Sequence, residues 1–268
     1  MLADERSRGL AVHIGADVLA SPRYRDWPAT RSSRDTVARM TGLCTAVGIA
    51  RQHRLLGADA TRDRVRGAIS RAATDLHPDG LLVLTFSGHS DRGEPDDNSQ
   101  RDSSWCLHDD NLAFGELADA LSVAAPSARV IVVAATCYAA ALAQRTDWPP
   151  TLVLLAACDH YQTVLTGPTS SFIIRLERLV CPHGRPNPRR INYTWLQTEL
   201  QKDTPDAERP QVWTNHASVW EHRPFELHTG TYAANAVITP VADAEGWRWN
   251  GMERCVGEKS HRTICEGA

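Results

Sequence analysis

The sequence predicts an α/β fold, a three-layer αβα sandwich around a mostly parallel sheet, on the strength of two observations. Short apolar runs alternate with segments of helical periodicity along most of the chain, as in sheets covered by helices. Each run has about the length of a strand and is bounded by polar or turn residues. Two of the runs are nearly continuous in apolar residues, which is typical of strands buried on both faces. The four predicted strands are residues 10–15, 81–86, 130–135 and 151–157.

Helical patterns fill the gaps between these runs. Apolar residues recur near a 3.6-residue period over residues 35–47, with Ser33 as a candidate cap, and Thr61 could cap the segment 62–76. Because strands and helices alternate, we expect helices on both faces of the sheet. The remaining predicted helices are residues 114–124, 170–180 and 193–202.

Composition narrows the classes of function. The 268 residues are 42% hydrophobic and 23% charged, which is ordinary for a soluble globular protein. A net charge of −3 provides no strong positive field to neutralise phosphates, so we expect no nucleic-acid partner. No apolar run reaches the roughly 18–20 residues of a membrane span, and residues 1–9 are too charged for a secretory signal. The seven scattered cysteines favour a reduced, cytoplasmic setting over a disulfide framework.

The alternation ends near residue 227, so we predict one domain over residues 1–227 and an appended tail over residues 228–268. Two long loops interrupt the domain. Residues 91–104 are acidic and polar and are predicted to be exposed and mobile, and residues 181–191 are rich in Pro, Gly and Arg.

Two groups of residues carry candidate metal ligands. Cys255, His261 and Cys265 could bind zinc, but a tetrahedral structural site needs a fourth ligand, so idle or disulfide-linked cysteines are the simpler interpretation. The acids between residues 91 and 97 could recruit calcium, although a solvated charge run is the simpler interpretation. We therefore predict no metal site and no cofactor.

A histidine directly follows the second predicted strand, in Phe86-Ser-Gly-His89. In an open α/β sheet, functional groups collect at the carboxyl ends of the strands. A histidine there is suited to proton transfer near neutral pH. On its own, His89 would be interpreted as a hydrogen-bonded loop residue.

A cysteine directly follows the third predicted strand, in Ala135-Thr-Cys137. A helical stretch is predicted after it, over residues 138–144, and a helix N-terminus and a nearby imidazolium would both stabilise a thiolate. On its own, Cys137 would be interpreted as a small buried hydrophobic residue. Because consecutive strands are usually neighbours, His89 and Cys137 are predicted to face one crevice, as a Cys–His nucleophile requires.

The same segments resemble the caspase and metacaspase superfamily of cysteine peptidases, including its bacterial members, from about residue 10 to residue 227. Residues 81–89 (LLVLTFSGH) resemble the histidine strand, and residues 130–137 (VIVVAATC) resemble the nucleophile strand. Further similar segments follow the histidine loop, form the next strand with its loop, and form the closing strand region; they are residues 105–117, 151–163, 209–213 and 223–227.

This resemblance implies a cysteine endopeptidase in which Cys137 attacks the scissile carbonyl and His89 protonates the leaving amine. It implies the backbone N–H groups of Ser90 and Cys137 as oxyanion donors. It supplies no third side chain to orient His89, although a backbone carbonyl could do so. It further implies regulated proteolysis in a stress, cell-death or defence pathway, with a protein or peptide substrate and a regulatory protein partner.

Several positions depart from the family pattern. Ser90 replaces a glycine, and a left-handed backbone there would cost serine about 1 kcal/mol. Ala135 stands where metacaspases carry an acid that determines specificity for basic residues. The acid pair expected before a Gln-Thr dipeptide is replaced by His160 and Tyr161, with Asp159 nearby. We therefore name Ala135, Asp159 and His160 as candidate substrate-pocket residues and predict weak preference for lysine or arginine at P1.

Two alternatives compete with the peptidase. A catalytically impaired pseudoprotease that serves as a binding or scaffolding module is favoured by Ser90 and by the altered surroundings of Cys137, and is opposed by retention of both His89 and Cys137. A serine α/β hydrolase would need a Gly-x-Ser-x-Gly elbow, which the sequence lacks.

Overall fold

The computed structural model describes residues 6–92, 103–145, 148, 151–159, 161–163, 170–189, 191–205 and 208–227, together with one strand pair beyond them. A six-stranded sheet forms the centre, in the order β2-β1-β3-β7-β8-β9, and every neighbouring pair is parallel except the antiparallel pair β8 and β9. Its strands are β1 (Ser7–Gly15), β2 (Arg51–Leu56), β3 (Leu76–Ser87), β7 (Arg129–Ala135), β8 (Thr151–Ala156) and β9 (Gln211–Thr214).

A small antiparallel sheet lies beyond the carboxyl end of β3, and a separate two-stranded pair lies in the predicted tail. The small sheet consists of β4 (Ser90–Asp91), β5 (Ser104–Cys106) and β6 (Asn111–Ala113), and the pair consists of β10 (Ala242–Asp243) and β11 (Gly246–Trp247). The rest of residues 228–268 lies outside the described residues, so the division into domain and tail stays a prediction.

Helices cover both faces of the central sheet. Those of the described chain are α1 (Ser33–Ala46), α2 (Arg62–Thr74), α3 (Phe114–Leu121), α4 (Ser171–Val180) and α5 (Tyr193–Gln201). The core on one face contains side chains of α2, α3 and the small sheet, and the core on the other contains side chains of α1, α4 and α5. The three-layer α/β prediction is therefore confirmed.

Strand β3 explains why a continuous apolar run predicts this architecture. Leu82 and Leu84 belong to the core on the α2 side, whereas Leu81 and Val83 belong to the core on the α1 side. Successive side chains of a strand point to opposite faces, so a strand covered on both faces needs apolar residues at every position.

The element boundaries differ from the sequence prediction at several places. Strand β2 lies outside the predicted strands, because its first four residues are Arg, Gln, His and Arg and only Leu55 is fully buried. Leu76, predicted in a helix, begins β3, and α2 ends at Thr74. Helix α1 begins at Ser33, whose hydroxyl donates to the carbonyl of Ser87 (3.0 Å) and caps no helix N–H.

A second group of corrections concerns the loops. Residues 103 and 104, predicted in an exposed loop, are buried in or next to the small sheet, and Asp91 pairs with Ser104 at the other end of that segment. Residues 93–102 lie outside the described residues. Residues 223–227 form a turn with buried Phe225 at a φ of 61°, so only the first half of the predicted closing region, β9, is a strand.

A fully buried histidine lies inside the sheet. His13, in β1, contacts Gln52 Oε1 through Nε2 (2.9 Å) and Thr85 Oγ1 through Nδ1 (3.0 Å). Because an amide oxygen only accepts, Nε2 carries the proton and Nδ1 accepts from the threonine hydroxyl. Burial lowers the pKa of His13 to about 4, since it disfavours the charged imidazolium.

Within the described part of the chain, no helix has both the length and the apolar character required to cross a bilayer.

Candidate active site

The predicted catalytic residues follow two neighbouring parallel strands at matching positions. β3 and β7 are hydrogen-bonded neighbours, and their last paired positions are Ser87 and Ala135. His89 and Cys137 each lie two residues beyond that pair. The topology therefore brings both residues to the carboxyl edge of the sheet, where parallel α/β folds place their functional groups.

Thr136 links the two loops directly. Its hydroxyl donates to the carbonyl oxygen of Gly88 (2.8 Å) and lies 2.6 Å from the hydroxyl of Ser90. Because the single hydroxyl hydrogen of Thr136 is committed to Gly88, the hydroxyl of Ser90 must donate to Thr136. Thr136 and Ser90 are both buried. The residue before Cys137 is thus hydrogen-bonded to the residues on both sides of His89.

A backbone carbonyl orients the histidine. Nε2 of His89 lies 2.7 Å from the carbonyl oxygen of Pro28. A carbonyl only accepts, so in this hydrogen bond Nε2 carries the proton, and in the neutral ring Nδ1 is left with its lone pair. This contact supplies the third partner that no side chain was predicted to provide.

The loop between β1 and α1 holds Pro28 in place. The hydroxyl of Thr30 donates to the carbonyl of Ala16 (3.0 Å) and lies 3.0 Å from the hydroxyl of Ser33. The ring of Trp27 meets the ring of His89 edge-on, with centroids 5.1 Å apart, and lies 5.2 Å from the ring of buried Tyr24. Trp27 keeps 39% of its surface exposed although it is held on two sides, so it forms a fixed aromatic wall beside the histidine.

Cys137 differs from the other cysteines of the described chain in its exposure. It is partly exposed, whereas four others are buried. Burial disfavours a thiolate and raises the pKa of Cys44, Cys106 and Cys158 to about 12 and that of Cys181 to about 11. These four thiols are therefore poorly suited to act as nucleophiles.

The proposed oxyanion donors lie on ordinary backbone. Ser90 begins β4 and pairs with Trp105 of β5, and it is not among the residues with positive φ. The strain expected at Ser90 is therefore wrong, because the short strand holds this residue in extended conformation. The N–H of Cys106 donates to the carbonyl of His89 (2.9 Å), so by the alternation of an antiparallel pair the N–H of Ser90 points away from β5.

The helical stretch predicted after Cys137 is present, but it is a 3₁₀ helix that begins one residue later than expected. Ala139–Gln144 is a short 3₁₀ helix, and Tyr138 before it is left-handed, with φ at 52°. The N–H of Tyr138 donates to the carbonyl of Gln162 (2.8 Å) and the N–H of Ala140 to that of Cys158 (3.2 Å). A helix N-terminus that would stabilise a thiolate is therefore absent from this part of the described chain, because the next loop takes up these donors.

The candidate substrate-pocket residues have different outcomes. Ala135 ends β7, is partly exposed, and pairs with Ser87. Asp159 is partly exposed in a turn in which its carbonyl accepts from the N–H of Gln162 (3.3 Å), and that turn is bonded to the residue after Cys137. The structure thus brings Ala135 and Asp159 to the same edge as Cys137. His160 lies outside the described residues, and a pocket role for all three stays a prediction.

The candidate metal ligands are mostly outside the described chain. Cys255, His261 and Cys265 are not described, nor are the acids between residues 93 and 97. Asp91 forms an ion pair with Arg23 at 2.7 Å. Among the described residues, no group of three or more His, Cys, Asp or Glu side chains could hold a metal ion.

Neither a protein-family model nor a curated protein matches this sequence, but solved structures match the fold, and the chain has the three-layer architecture of the caspase-like proteins. The crystal structure of protein GSU0716 from Geobacter sulfurreducens is 21% identical with a TM-score of 0.69, covering 82% of this chain and 99% of that one. Caspase-1 from Spodoptera frugiperda is 12% identical with a TM-score of 0.51, covering 78% of this chain and 87% of that one. At these identities the likeness concerns the fold alone.

Three site residues escaped the sequence prediction. Trp27 and Pro28 lie in a loop without periodicity, and the one signal for them is that the loop follows the carboxyl end of the first strand. Thr136 occupies a position whose importance depends on the register between β3 and β7, which a single sequence does not reveal.

Proposed function

We propose that this chain is a cysteine endopeptidase that hydrolyses peptide bonds through Cys137 and His89. The observation that carries the proposal is the matched position of the two residues, each two places beyond the paired ends of adjacent parallel strands, with Thr136 joining their loops. A partly exposed thiol and an imidazole of fixed orientation at one edge of the sheet support nucleophilic catalysis by cysteine, which needs these two groups close together.

The hydrogen bond to Pro28 supports a definite division of labour on the imidazole. With Nε2–H held by the carbonyl, Nδ1 is the nitrogen that takes the proton of the Cys137 thiol, which leaves a thiolate beside an imidazolium. The thiolate attacks the scissile carbonyl carbon and forms the C–S bond. The N–H groups of Ser90 and Cys137 are the proposed donors to the oxygen that becomes negative in this step.

Collapse of the tetrahedral intermediate breaks the C–N bond, and the imidazolium gives its proton to the leaving amine. A thioester remains on Cys137. Water then attacks the thioester carbonyl, with Nδ1 of His89 accepting the proton of the water, and the carboxyl product leaves as the C–S bond breaks. The cycle consumes one water and needs no oxidant or cofactor.

The experiment combines labelling with cleavage. The purified protein is treated with limiting iodoacetamide, the modified cysteines are identified by mass spectrometry, and cleavage of a peptide library is measured in parallel. We expect alkylation at Cys137 before any buried cysteine, and loss of cleavage by about 10³-fold or more in Cys137→Ala. Cys44→Ala, which removes a buried thiol from the core on the α1 side of the sheet, serves as the matched control and should retain activity.

The competing interpretations give different results. A pseudoprotease with this fold would show alkylation at Cys137 but cleave no member of the library. Equal cleavage by wild type and Cys137→Ala would contradict the proposed nucleophile. Cys158, whose thiol contacts the carbonyl of Thr136 at 3.4 Å, would then be the next candidate.

A further inference from the structure

An open cavity of about 920 Å³ lies at the turn between α4 and α5. Its lining combines prolines 182, 186 and 188 with the partly exposed ring of Trp195, and three arginines, at positions 178, 185 and 189. Glu199 is the one carboxylate in this lining. The surface is therefore basic at its rim and carries rigid apolar groups. We refer to it as the arginine groove.

The turn that forms the arginine groove is held in shape by one residue. The N–H of Asn187 donates to the carbonyl of Val180 (2.8 Å), and its side-chain amide donates to that of Leu179 (2.8 Å). Its side-chain oxygen accepts from the N–H of Arg189 (3.0 Å), and its carbonyl accepts from the guanidinium of Arg223. These four bonds fix the turn before any ligand arrives, which lowers the ordering cost of binding.

The arginine groove lies at the amino end of the central sheet, away from the candidate active site. Arg129, the first residue of β7, donates to the carbonyl of Glu226, and Arg223 in the same turn donates to Asn187 of the groove. Cys137 follows the opposite end of β7. Since a strand of this length spans roughly 20 Å, the two sites are separate.

The arginines of the groove lack a carboxylate partner in the described chain, unlike seven arginines elsewhere. Seven other arginines lie within 4.0 Å of a carboxylate: Arg23, Arg34, Arg39, Arg51, Arg62, Arg64 and Arg66. By contrast, no carboxylate of the described residues lies within that distance of Arg178, Arg185 or Arg189, and all three are exposed. The surface therefore offers three guanidinium groups whose natural partners are carboxylates of another molecule.

We propose that the arginine groove is a docking site for an acidic, extended segment of a partner protein. Carboxylates of the segment pair with the arginines, and its apolar side chains pack on Trp195 and the prolines; tryptophan and arginine are the residues most enriched among strong contributors to interfaces. Glu199 in the lining can accept a hydrogen bond from the backbone N–H of a peptide, a donor that a phosphate group lacks. The proposal is independent of the proposed peptidase activity, since the groove shares no residue with the candidate active site.

The test measures binding of a short fluorescein-labelled peptide that alternates Glu with Leu, by fluorescence polarisation at physiological salt. The protein is the full-length chain carrying Cys137→Ala, so that no cleavage consumes the probe. We expect binding that weakens as salt rises, and at least about tenfold weaker binding when every Glu of the peptide is replaced by Gln.

Charge reversal locates the site. Arg185→Glu combined with Arg189→Glu should weaken the Glu peptide at least about tenfold and strengthen a matching Lys–Leu peptide. Arg64→Glu combined with Arg71→Glu, on α2 at the other face of the sheet, changes the net charge equally and should leave both affinities within about twofold. Circular dichroism confirms that each variant is folded, as expected for exposed positions.

Three results with the peptides would overturn the proposal. They are absent binding of the Glu peptide, equal weakening by the two charge-reversed variants, and equal affinity for the Glu and Gln peptides. Tight binding of ATP or inorganic polyphosphate that displaces the peptide would also overturn it and assign the groove to small anions.

Discussion

At the carboxyl end of the central sheet, the polar groups of the loops bond to one another; at the amino end, the arginines of the groove face solvent. Thr136 satisfies groups on both sides of His89, and Pro28 holds the imidazole, so the loop of His89 and its ring are fixed before a substrate arrives. Asn187 fixes the turn at the other end, but it leaves the nearby guanidiniums exposed. The difference fits the two proposals, which assign positioned chemistry to one end and capture of a partner segment to the other.

The largest expected effect distinguishes the two ends of the sheet, because peptide cleavage should depend on the carboxyl end and not on the arginine groove. His89→Ala should lower kcat/KM for short peptides by about 10³-fold or more, because both proton transfers depend on its ring. The double reversal Arg185→Glu with Arg189→Glu should leave cleavage of short neutral peptides unchanged. If the reversed variant also lost cleavage of those peptides, the two ends would be coupled and the comparison would fail.

The next effect concerns the sheet between the two ends. The pKa of His13 is lowered to about 4 in the folded chain, so between pH 6.5 and 4 the unfolded chain binds the extra proton and stability is lost as pH falls. We expect this loss to amount to about 2–3 kcal/mol between pH 8 and 4.5. Urea unfolding of wild type and His13→Gln at both pH values checks it. Equal pH dependence in the two proteins would show that carboxylates alone control acid stability.

Thr136→Val tests the bond between the catalytic loops. Valine matches the shape of threonine but leaves the Gly88 carbonyl and the Ser90 hydroxyl without their partner, at a cost of about 1–3 kcal/mol. We expect kcat/KM to fall about 10- to 100-fold, mainly in kcat, as the loops lose their alignment. Thr136→Ser keeps the hydroxyl and should recover most of the activity. A valine variant that loses stability but keeps kcat would restrict Thr136 to a structural role.

The preference for the P1 residue of the substrate should depend on Ala135. A buried arginine of the substrate without a facing carboxylate is strongly penalised, so fluorogenic peptides ending in Arg or Lys should be cleaved less well than the best neutral peptide. Ala135→Asp should improve the ratio of Arg to neutral cleavage by about tenfold or more. A wild-type protein that already prefers Arg would show that Asp159 or another acid occupies the pocket.

The smallest effect is expected from cleavage of the chain between Cys137 and Thr151, because activity should not require a cut there. Ala139–Gln144 is a short helix with buried alanines, and Trp148 is buried with its indole N–H donating to the carbonyl of Leu142 (3.0 Å). A protease needs several extended residues, which this segment cannot supply without unpacking. Gel electrophoresis of active protein beside Cys137→Ala should show one intact chain between these residues. Activity that appears only after such a cut would contradict the prediction.

The sequence predicts the centre of the sheet well because burial on both faces leaves a strong pattern. The second half of β3 and most of β7 and β8 are nearly continuous apolar runs, and the positions of His89 and Cys137 after β3 and β7 follow from the same pattern. The sequence pattern does not predict β2, because an edge strand with one buried leucine carries polar residues at most positions. The helical stretch over residues 139–144 follows from the high helix propensity of alanine, whereas its 3₁₀ form, the left-handed Tyr138 and the bonds to the next loop depend on tertiary contacts.

The contact between His89 and Pro28 has a consequence for how this chain would respond to random mutation. The acceptor is a main-chain oxygen, which every amino acid carries, so no side-chain substitution at position 28 deletes it. An alanine scan would therefore report a two-residue catalytic unit and overlook the third participant. Only changes that move the backbone, such as a deletion or insertion between β1 and α1, would reveal it, and such changes should lower activity while leaving both reactive side chains in place.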